Sequence, residues 1–208
     1  MTTRQLLLLG ANGRTGRLVL AGALSAGHRV TAVVRGADRL RGVDHARLEV
    51  RVGDACDPAF LRAVAPGHDA LVSTLGPRRP TRAAAAVYVA SGEAIAAAAP
   101  EAALERVLVT SSALLFPTSE WTTRALQTLV RPLVDGARAM EERVRACDLG
   151  WTVARTGFLT DGADEGLRVG VESLPERPRA VSRAAVAGFL LEELSAGRHE
   201  RQTVGLCA

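Results

Sequence analysis

The stretch "LLLLGANGRTGRLVLAGALSAGHRV", residues 6–30, decides the fold. Four consecutive leucines read as a strand covered on both faces, because a half-exposed strand alternates apolar with polar residues. Gly10-Ala11-Asn12-Gly13-Arg14-Thr15-Gly16 then forms a G-x-x-G-x-x-G turn, and a helical pattern runs from Arg14 to Ala26 before Gly27 stops it. Glycines let such a turn approach a diphosphate closely, while the helix N-terminus aims unpaired N–H groups at the negative charge. Glycine spacing alone is a weak signal; the strand before it and the helix after it supply the context. A second strand closes at Val34, and the charged residue 19 positions beyond Gly16 is Arg35. An acidic residue there would accept from the ribose 2′-hydroxyl of NAD, whereas a guanidinium pairs with the 2′-phosphate of NADP. The expected cofactor is NADP(H). Arg14 and Arg39 either complete that anion pocket or are solvated surface charges.

Outward from this turn, β-type runs alternate with helical patterns, the signature of a parallel sheet wrapped by helices. Strands are expected at Gln5–Leu9, Arg29–Val34, Arg47–Val52, Ala70–Thr74, Arg106–Thr110, Thr152–Arg155 and Thr203–Leu206. Helices are expected at Arg14–Ala26, at Pro58–Val64 behind an Asp57 cap, at Ala83–Ala99 stopping at Pro100, at Gly136–Cys147, and at Arg183–Ala196 between Ser182 and Gly197. The expected fold class is α/β: one Rossmann-like, doubly wound parallel sheet of about seven strands with helices on both faces, spanning 1–208 as a single NAD(P)-binding domain. Segments near 113–135 and 156–180, rich in Pro and Gly, follow strand ends and are either substrate-side walls or plain surface loops.

Composition excludes several function classes. The net charge of +4 comes from scattered arginines, dense only in "GPRRPTR" at 76–82, and aromatic residues are 3% of the chain, too few for base-stacking platforms. No nucleic-acid partner is expected. The apolar runs "LLLL" and "ALLF" at 113–116 fall short of the roughly 20 residues a bilayer span needs, so no membrane partner is expected either. "MTTRQ" lacks the charge and apolar segment of a secretory leader, which favours a cytoplasmic location. Cys56, Cys147 and Cys207 are read as unpaired thiols. The four histidines, His28, His45, His68 and His199, fall in turns or helix ends and are read as surface residues; with no metal-ligand spacing among them, no metal is expected. The expected partner is a small-molecule substrate, taken by a monomer or homodimer.

Further along, "VGDACDP" at 52–58 sets Asp54 at a strand end, where it could accept from an adenine amino group. "STLGPRR" at 73–79 sets Thr74, Leu75 and Gly76 beside the cofactor. With "GANGRTG" (10–16), "VVRGADRL" (33–40), "LVTSSALLF" (108–116), "LGWTVARTGF" (149–158) and "VSRAAVAGFLLEEL" (181–194), the chain resembles the NmrA-like group of atypical short-chain dehydrogenases/reductases, and within it the biliverdin-IXβ and NADPH-flavin reductases. The resemblance implies that Gly10, Asn12, Gly13, Arg14, Thr15 and Gly16 hold the diphosphate and that Arg35 and Arg39 hold the 2′-phosphate. It further implies Asp54 and Ala55 at adenine, Leu75, Gly76 and Ser111 round the nicotinamide ribose and ring, and the backbone of Thr156, Gly157 and Phe158 at the carboxamide. Two departures stand out: Arg155-Thr156 replaces an Arg-Pro pair common in the group, and the histidine that related reductases place near substrate has no counterpart.

The chain contains no lysine. A P-loop and the Tyr-x-x-x-Lys dyad of the usual short-chain dehydrogenase both need one. The sole tyrosine, Tyr88, lies mid-helix and reads as core, and Arg138, near the dyad's lysine position, is too weak an acid to donate a proton. Hydride transfer without a resident acid suits a conjugated acceptor such as a flavin, quinone, tetrapyrrole or aromatic polyketide-like molecule, whose rings delocalise the arriving charge while the protein orients it. Ser111, then Ser112, are the candidate catalytic side chains, or else they satisfy backbone at a strand end. Leu114, Phe116, Trp121 and Phe158 are a candidate substrate pocket, or else core. The expected activity is an NADPH-dependent reductase; the alternatives are a non-catalytic NADP(H) sensor of the NmrA type and an NADP-dependent isomerase or epimerase.

Overall fold

Leu6, Leu7, Leu8 and Leu9 are all fully buried, yet they belong to two separate layers of the core. In the computed structural model, which describes residues 3–77, 81–162 and 166–208, they form strand β1 (Gln5–Leu9). Leu6 and Leu8 pack with helices α1 (Arg14–Ser25) and α6 (Arg183–Ala196). Leu7 and Leu9 pack with α2 (Pro58–Val64), α3 (Arg82–Ala102) and α5 (Arg131–Arg145). The two-residue period of a strand thus divides the core between the two faces of one sheet. Each leucine contributes about 1.5–3 kcal/mol by leaving water, so β1 is a principal anchor.

The remaining strands are β2 (Arg29–Val34), β3 (Leu48–Val52), β4 (Ala70–Ser73), β5 (Arg106–Ser112), β6 (Gly150–Thr156), β8 (Arg168–Val171) and β10 (Gln202–Cys207). They line up as β3-β2-β1-β4-β5-β6-β10-β8, parallel throughout except for β8, which runs antiparallel to β10. A separate two-stranded pair joins β7 (Leu159–Thr160) to β9 (Val181–Ser182). The chain winds outward from β1 to β3, then crosses back to β4 on the other side of β1. That reversal opens a crevice at the carboxyl ends of β1 and β4, where open α/β sheets take their ligands.

The architecture is the doubly wound α/β class expected, with eight strands in the sheet rather than seven. The eighth is β8, whose Gly170 faces Gly205 of β10. Ser173 and Leu174 cross over this pair, and a Cβ on Gly170 would fall 2.7 Å from the Ser173 carbonyl oxygen. With four residues, a glycine between its two valines, glycines before it and prolines after it, β8 is too short and too interrupted for its pattern to stand out.

Three helix expectations are also corrected. Helix α3 runs on through Pro100 to Ala102, because proline in the last turn removes a single hydrogen bond. Helix α5 begins at Arg131, since Pro132 sits in its first turn, where backbone N–H groups have no intrahelical partner anyway. Between 113 and 135 lies an unexpected helix, α4 (Trp121–Leu129), which buries none of its residues. His28 is buried, not at the surface: its Nδ1 accepts from the Arg4 backbone N–H at 3.1 Å. Burial, then the Arg4 charge, pushes its pKa down. Among the described residues α3 is long and apolar enough to cross a membrane by length and composition; Ala94, Ile95, Ala98 and Ala99 of it lie in the core.

Candidate functional site

Gly10 leaves β1 with φ +82°, and a Cβ there would lie 2.8 Å from the Thr74 hydroxyl oxygen. Gly13 N–H donates to the Gly10 carbonyl at 2.8 Å, and a Cβ on Gly16 would strike that same carbonyl. Thr74 at the end of β4 donates to the carbonyls of Leu9 and Gly10 at 3.2 and 3.4 Å, tying the turn to the neighbouring strand. Helix α1 starts with no side-chain cap and no acidic residue in its first turn. Its leading N–H groups are therefore left for an anion.

Two clefts flank this turn. One, of about 500 Å³, reaches the ends of β2 and β3 and is lined by Gly10, Arg35, Asp54, Ala55, Cys56 and Leu75. The other, of about 570 Å³, reaches the ends of β5 and β6 and is lined by Arg14, Thr15, Tyr88, Thr110, Ser111, Ser112, Thr156 and Gly157. Asn12, Gly13, Thr74, Gly76 and Pro77 line both. A molecule with two lobes joined by a diphosphate fits that layout. Asp54 Oδ1 accepts from the Cys56 N–H at 3.0 Å, which holds the carboxylate at the rim. The Cys56 thiol is pushed up to about 11, by burial first and by Asp54 second, so it is no nucleophile.

Other expected residues lie elsewhere. Arg39, on an exposed 3-10 turn, lines neither cleft; its carbonyl accepts from Arg17 at 2.8 Å. Phe158 is 79% exposed and Trp121 79% exposed, and neither lines a cleft. Leu114 packs against the α5-side core. Phe116 is buried beneath the Arg155 guanidinium, 4.6 Å from its ring centre. None of the four aromatic or aliphatic residues expected at a substrate pocket lines the opening beside Ser111. Of "GPRRPTR", Arg78, Arg79 and Pro80 lie outside the described residues, as do 163–165 of the second Gly- and Pro-rich segment.

The register of β5 on β6 sets Ser111 beside Arg155 and Ser112 beside Thr156. Ser112 Oγ accepts from Leu114 N–H at 3.3 Å, capping a 3-10 turn. Ser111 Oγ donates at 2.6 Å to Glu141, a carboxylate on α5 that is 2% exposed. Glu141 also receives Arg155 through Nε at 3.0 Å and Nη2 at 2.7 Å, and Arg145 at 2.8 Å. A buried carboxylate with four donors is compensated. The Ser111 proton is therefore directed away from the cleft, and lone pairs are what this hydroxyl offers a ligand.

Sequence reading missed Glu141, Tyr88, Asp161 and Arg183. Glu141 carried a signal: it interrupts the apolar stripe Val134, Ala137, Met140 and Val144 on a buried helix face. Asp161 pairs with Arg14 of the glycine turn and, at 2.7 Å, with Arg183 at the start of α6, so one carboxylate holds two guanidinium groups at the larger cleft. Nothing local marks that meeting, since the three residues come from distant parts of the chain.

Comparison with known proteins agrees with this geometry. A family model described as NAD(P)H-binding matches residues 10–196. Among solved structures, the anaerobillin reductase of Escherichia coli O157:H7 is 27% identical with a TM-score of 0.75, over 98% of this chain and 96% of that one. A candidate NADH-flavin reductase from Streptococcus pneumoniae TIGR4 is 24% identical with a TM-score of 0.78, over 98% of this chain and 99% of that one. A short-chain dehydrogenase/reductase from Veillonella parvula DSM 2008, solved in complex with NADP, is 20% identical with a TM-score of 0.73, over 100% of this chain and 95% of that one. With the turn, the uncapped helix and both clefts inside the matched region, the chain belongs to the NAD(P)H-binding family of Rossmann-like proteins.

Proposed function

We propose that this chain is an NADPH-dependent reductase, an atypical member of the short-chain dehydrogenase/reductase type, that passes hydride to a conjugated small molecule such as a flavin, a quinone or a tetrapyrrole. The observation that carries the reading is the pair of clefts meeting at the glycine turn. In it, the cleft with Asp54 and Ala55 takes the adenosine, and Arg35, exposed at the end of β2, takes the 2′-phosphate. The first turn of α1 takes the diphosphate. The larger cleft takes the nicotinamide, with Ser111 accepting from an N–H of the carboxamide and the backbone at Thr156 and Gly157 beside it. Bound there, the dinucleotide supplies a hydride. The protein orients the two rings and limits water, the part left to it when the acceptor delocalises its own charge. A candidate NADH-flavin reductase and an anaerobillin reductase among the structural neighbours favour a planar acceptor.

The test is NADPH oxidation, followed at the nicotinamide absorbance, with a panel of riboflavin, 2-methyl-1,4-naphthoquinone and biliverdin. Steady turnover with at least one acceptor is expected, and binding of NADPH with no consumption across the panel overturns the reading. Arg35→Asp should lower NADPH affinity about 100-fold, or about 2.7 kcal/mol, and change NADH affinity less than about 3-fold. Equal losses for both would remove the 2′-phosphate assignment.

A further inference from the structure

Tyr88 is 8% exposed, and its side chain lies in the seam between α3 and α5. Glycines make that seam narrow. A Cβ on Gly92 would fall 2.7 Å from the Met140 Cα, and one on Gly136 would fall 2.9 Å from the Ala85 carbonyl oxygen and 3.6 Å from the Tyr88 Cβ. Held there, the phenol projects out of the seam toward the sheet ends. Its hydroxyl comes within 3.4 Å of where a Gly76 Cβ would stand, and the residue lines the larger cleft with Ser111, Ser112 and Leu133.

Among the described residues this hydroxyl has no hydrogen-bond partner, and it is not one of the sealed, unsatisfied polar atoms of the interior. A phenol nine-tenths buried ordinarily finds a partner. Here it opens to the cleft instead. Of the neighbouring serines, Ser111 spends its proton on Glu141, and Ser112, whose Oγ accepts from the Leu114 N–H, is held at the 3-10 turn at the end of β5.

Resting on the reductase reading above, we infer that Tyr88 is the buried hydrogen-bond donor on the α3 and α5 side of the larger cleft and that it meets a carbonyl oxygen of the hydride acceptor. The cleft has two unlike walls. Arg14 and Arg183 approach from the α1 and α6 side, where the diphosphate is expected, while Tyr88, Leu133 and Ser112 approach from the α3 and α5 side, which leaves that side for the acceptor. Hydride arrival adds two electrons and one proton to the acceptor and leaves the dinucleotide oxidised. The negative charge then delocalises onto the acceptor's carbonyl oxygen, where the phenol stabilises it, and water supplies the neutralising proton. Tyr88 gives up no proton in this scheme. Burial and, after it, the Glu141 carboxylate push its pKa up to about 12, which keeps the donor in place through the physiological range.

The variant Tyr88→Phe keeps the ring in its seam and removes the donor alone. With riboflavin and 2-methyl-1,4-naphthoquinone, both carbonyl-bearing, kcat should fall on the order of 100-fold. With phenazine methosulfate, which has no carbonyl, it should fall less than about 3-fold, and NADPH affinity should not change. A merely structural tyrosine would not distinguish these acceptors, so equal kcat ratios across the three overturn the assignment. Riboflavin quenching in the NADP-loaded protein separates this inference from the reductase reading. A wild type that binds riboflavin yet consumes no NADPH with any acceptor of the panel, with riboflavin affinity lost about 10-fold in Tyr88→Phe, sinks the reductase and keeps the donor; equal affinities, or no binding by the wild type, sink the donor.

Discussion

At the carboxyl ends of β5 and β6, Glu141 receives hydrogen bonds from Ser111, Arg155 and Arg145, and each Oε is used. At the amino ends of the same strands a second buried cluster places Arg106 against Glu193 at 3.1 Å and Thr152 at 2.9 Å, but leaves its Nε and Nη1 without hydrogen bonds. Glu193 there is shared with the His199 backbone and ring at 2.7 and 2.9 Å. Both clusters are arginine and glutamate in a low-dielectric interior. What differs is the neighbour: the first ends on a hydroxyl that lines a cleft, the second on a loop before β10. Full satisfaction accompanies the cluster that holds a cleft-lining hydroxyl in one orientation, whereas the amino-end cluster ties α6 to the strands and leaves Nε without a hydrogen bond and Nη1 with only an ion pair to Glu200 at 3.4 Å.

The sharpest way to break this contrast is Glu141→Ala. It strands Arg155, only 11% exposed in its side chain, without a counter-charge and frees Ser111 to rotate. Stability should drop by about 3–5 kcal/mol in denaturant unfolding, and any reductase activity should drop with it. A loss below about 1 kcal/mol would mean that the carboxylate is not the hub described.

Next in size is Arg106→Met. Removing the arginine leaves the fully buried Glu193 carboxylate with only its two contacts to His199, which should cost about 3 kcal/mol, the low end for a broken buried pair. NADPH affinity should stay within about 2-fold. A change in cofactor affinity would show that the two sheet ends are coupled, which nothing in the packing requires.

A pH effect belongs to the amino end as well. His28, just before β2, has a folded pKa below its ordinary 6.5 because of burial and the Arg4 charge. Below pH 6.5 the unfolded chain therefore binds a proton that the folded chain refuses. The stability His28 contributes is present above pH 6.5 and is lost as pH falls toward the folded value, at no more than about 1.4 kcal/mol per pH unit. Melting temperature measured between pH 7.5 and 5 should fall in the wild type and fall less steeply in His28→Gln.

What was legible in the residues follows the same division between local and assembled features. The glycine turn, Arg35 and Asp54 are spaced along one βαβ stretch, so short-range spacing reveals them. The Ser182 and Gly197 boundaries of α6 were equally plain, because capping is local chemistry: Ser182 accepts from the Ala185 N–H at 3.0 Å and Gly197 adopts φ +59°. Helix α4 escaped notice because it is nine residues long between Pro117 and Pro132, and its apolar positions Trp121, Ala125 and Leu129 join no core. Tyr88 looked like core because its ring is core; its hydroxyl meets the cleft only once α3 and α5 are packed. Pro100 and Pro132 misled because a proline's effect depends on which turn of a helix it occupies.

The smallest effect is predicted at the connection from α3 to β5, again at the amino end. Pro100 permits the helix to continue, and the chain must then reverse to enter β5 within the next few residues. Ala103 makes that reversal in the left-handed region, at φ 53° and ψ 36°, with its side chain in solvent. An L-residue pays roughly 1–2 kcal/mol for its Cβ in that conformation, and glycine avoids the clash while losing somewhat more chain entropy on folding. Ala103→Gly should therefore stabilise the fold by about 0.5–1 kcal/mol in denaturant unfolding. Because the residue touches neither cluster nor cleft, NADPH affinity and turnover should both stay at wild-type values; a stabilised variant with altered kinetics would mean that the amino-end connections reach the site through α3, the helix that carries Tyr88.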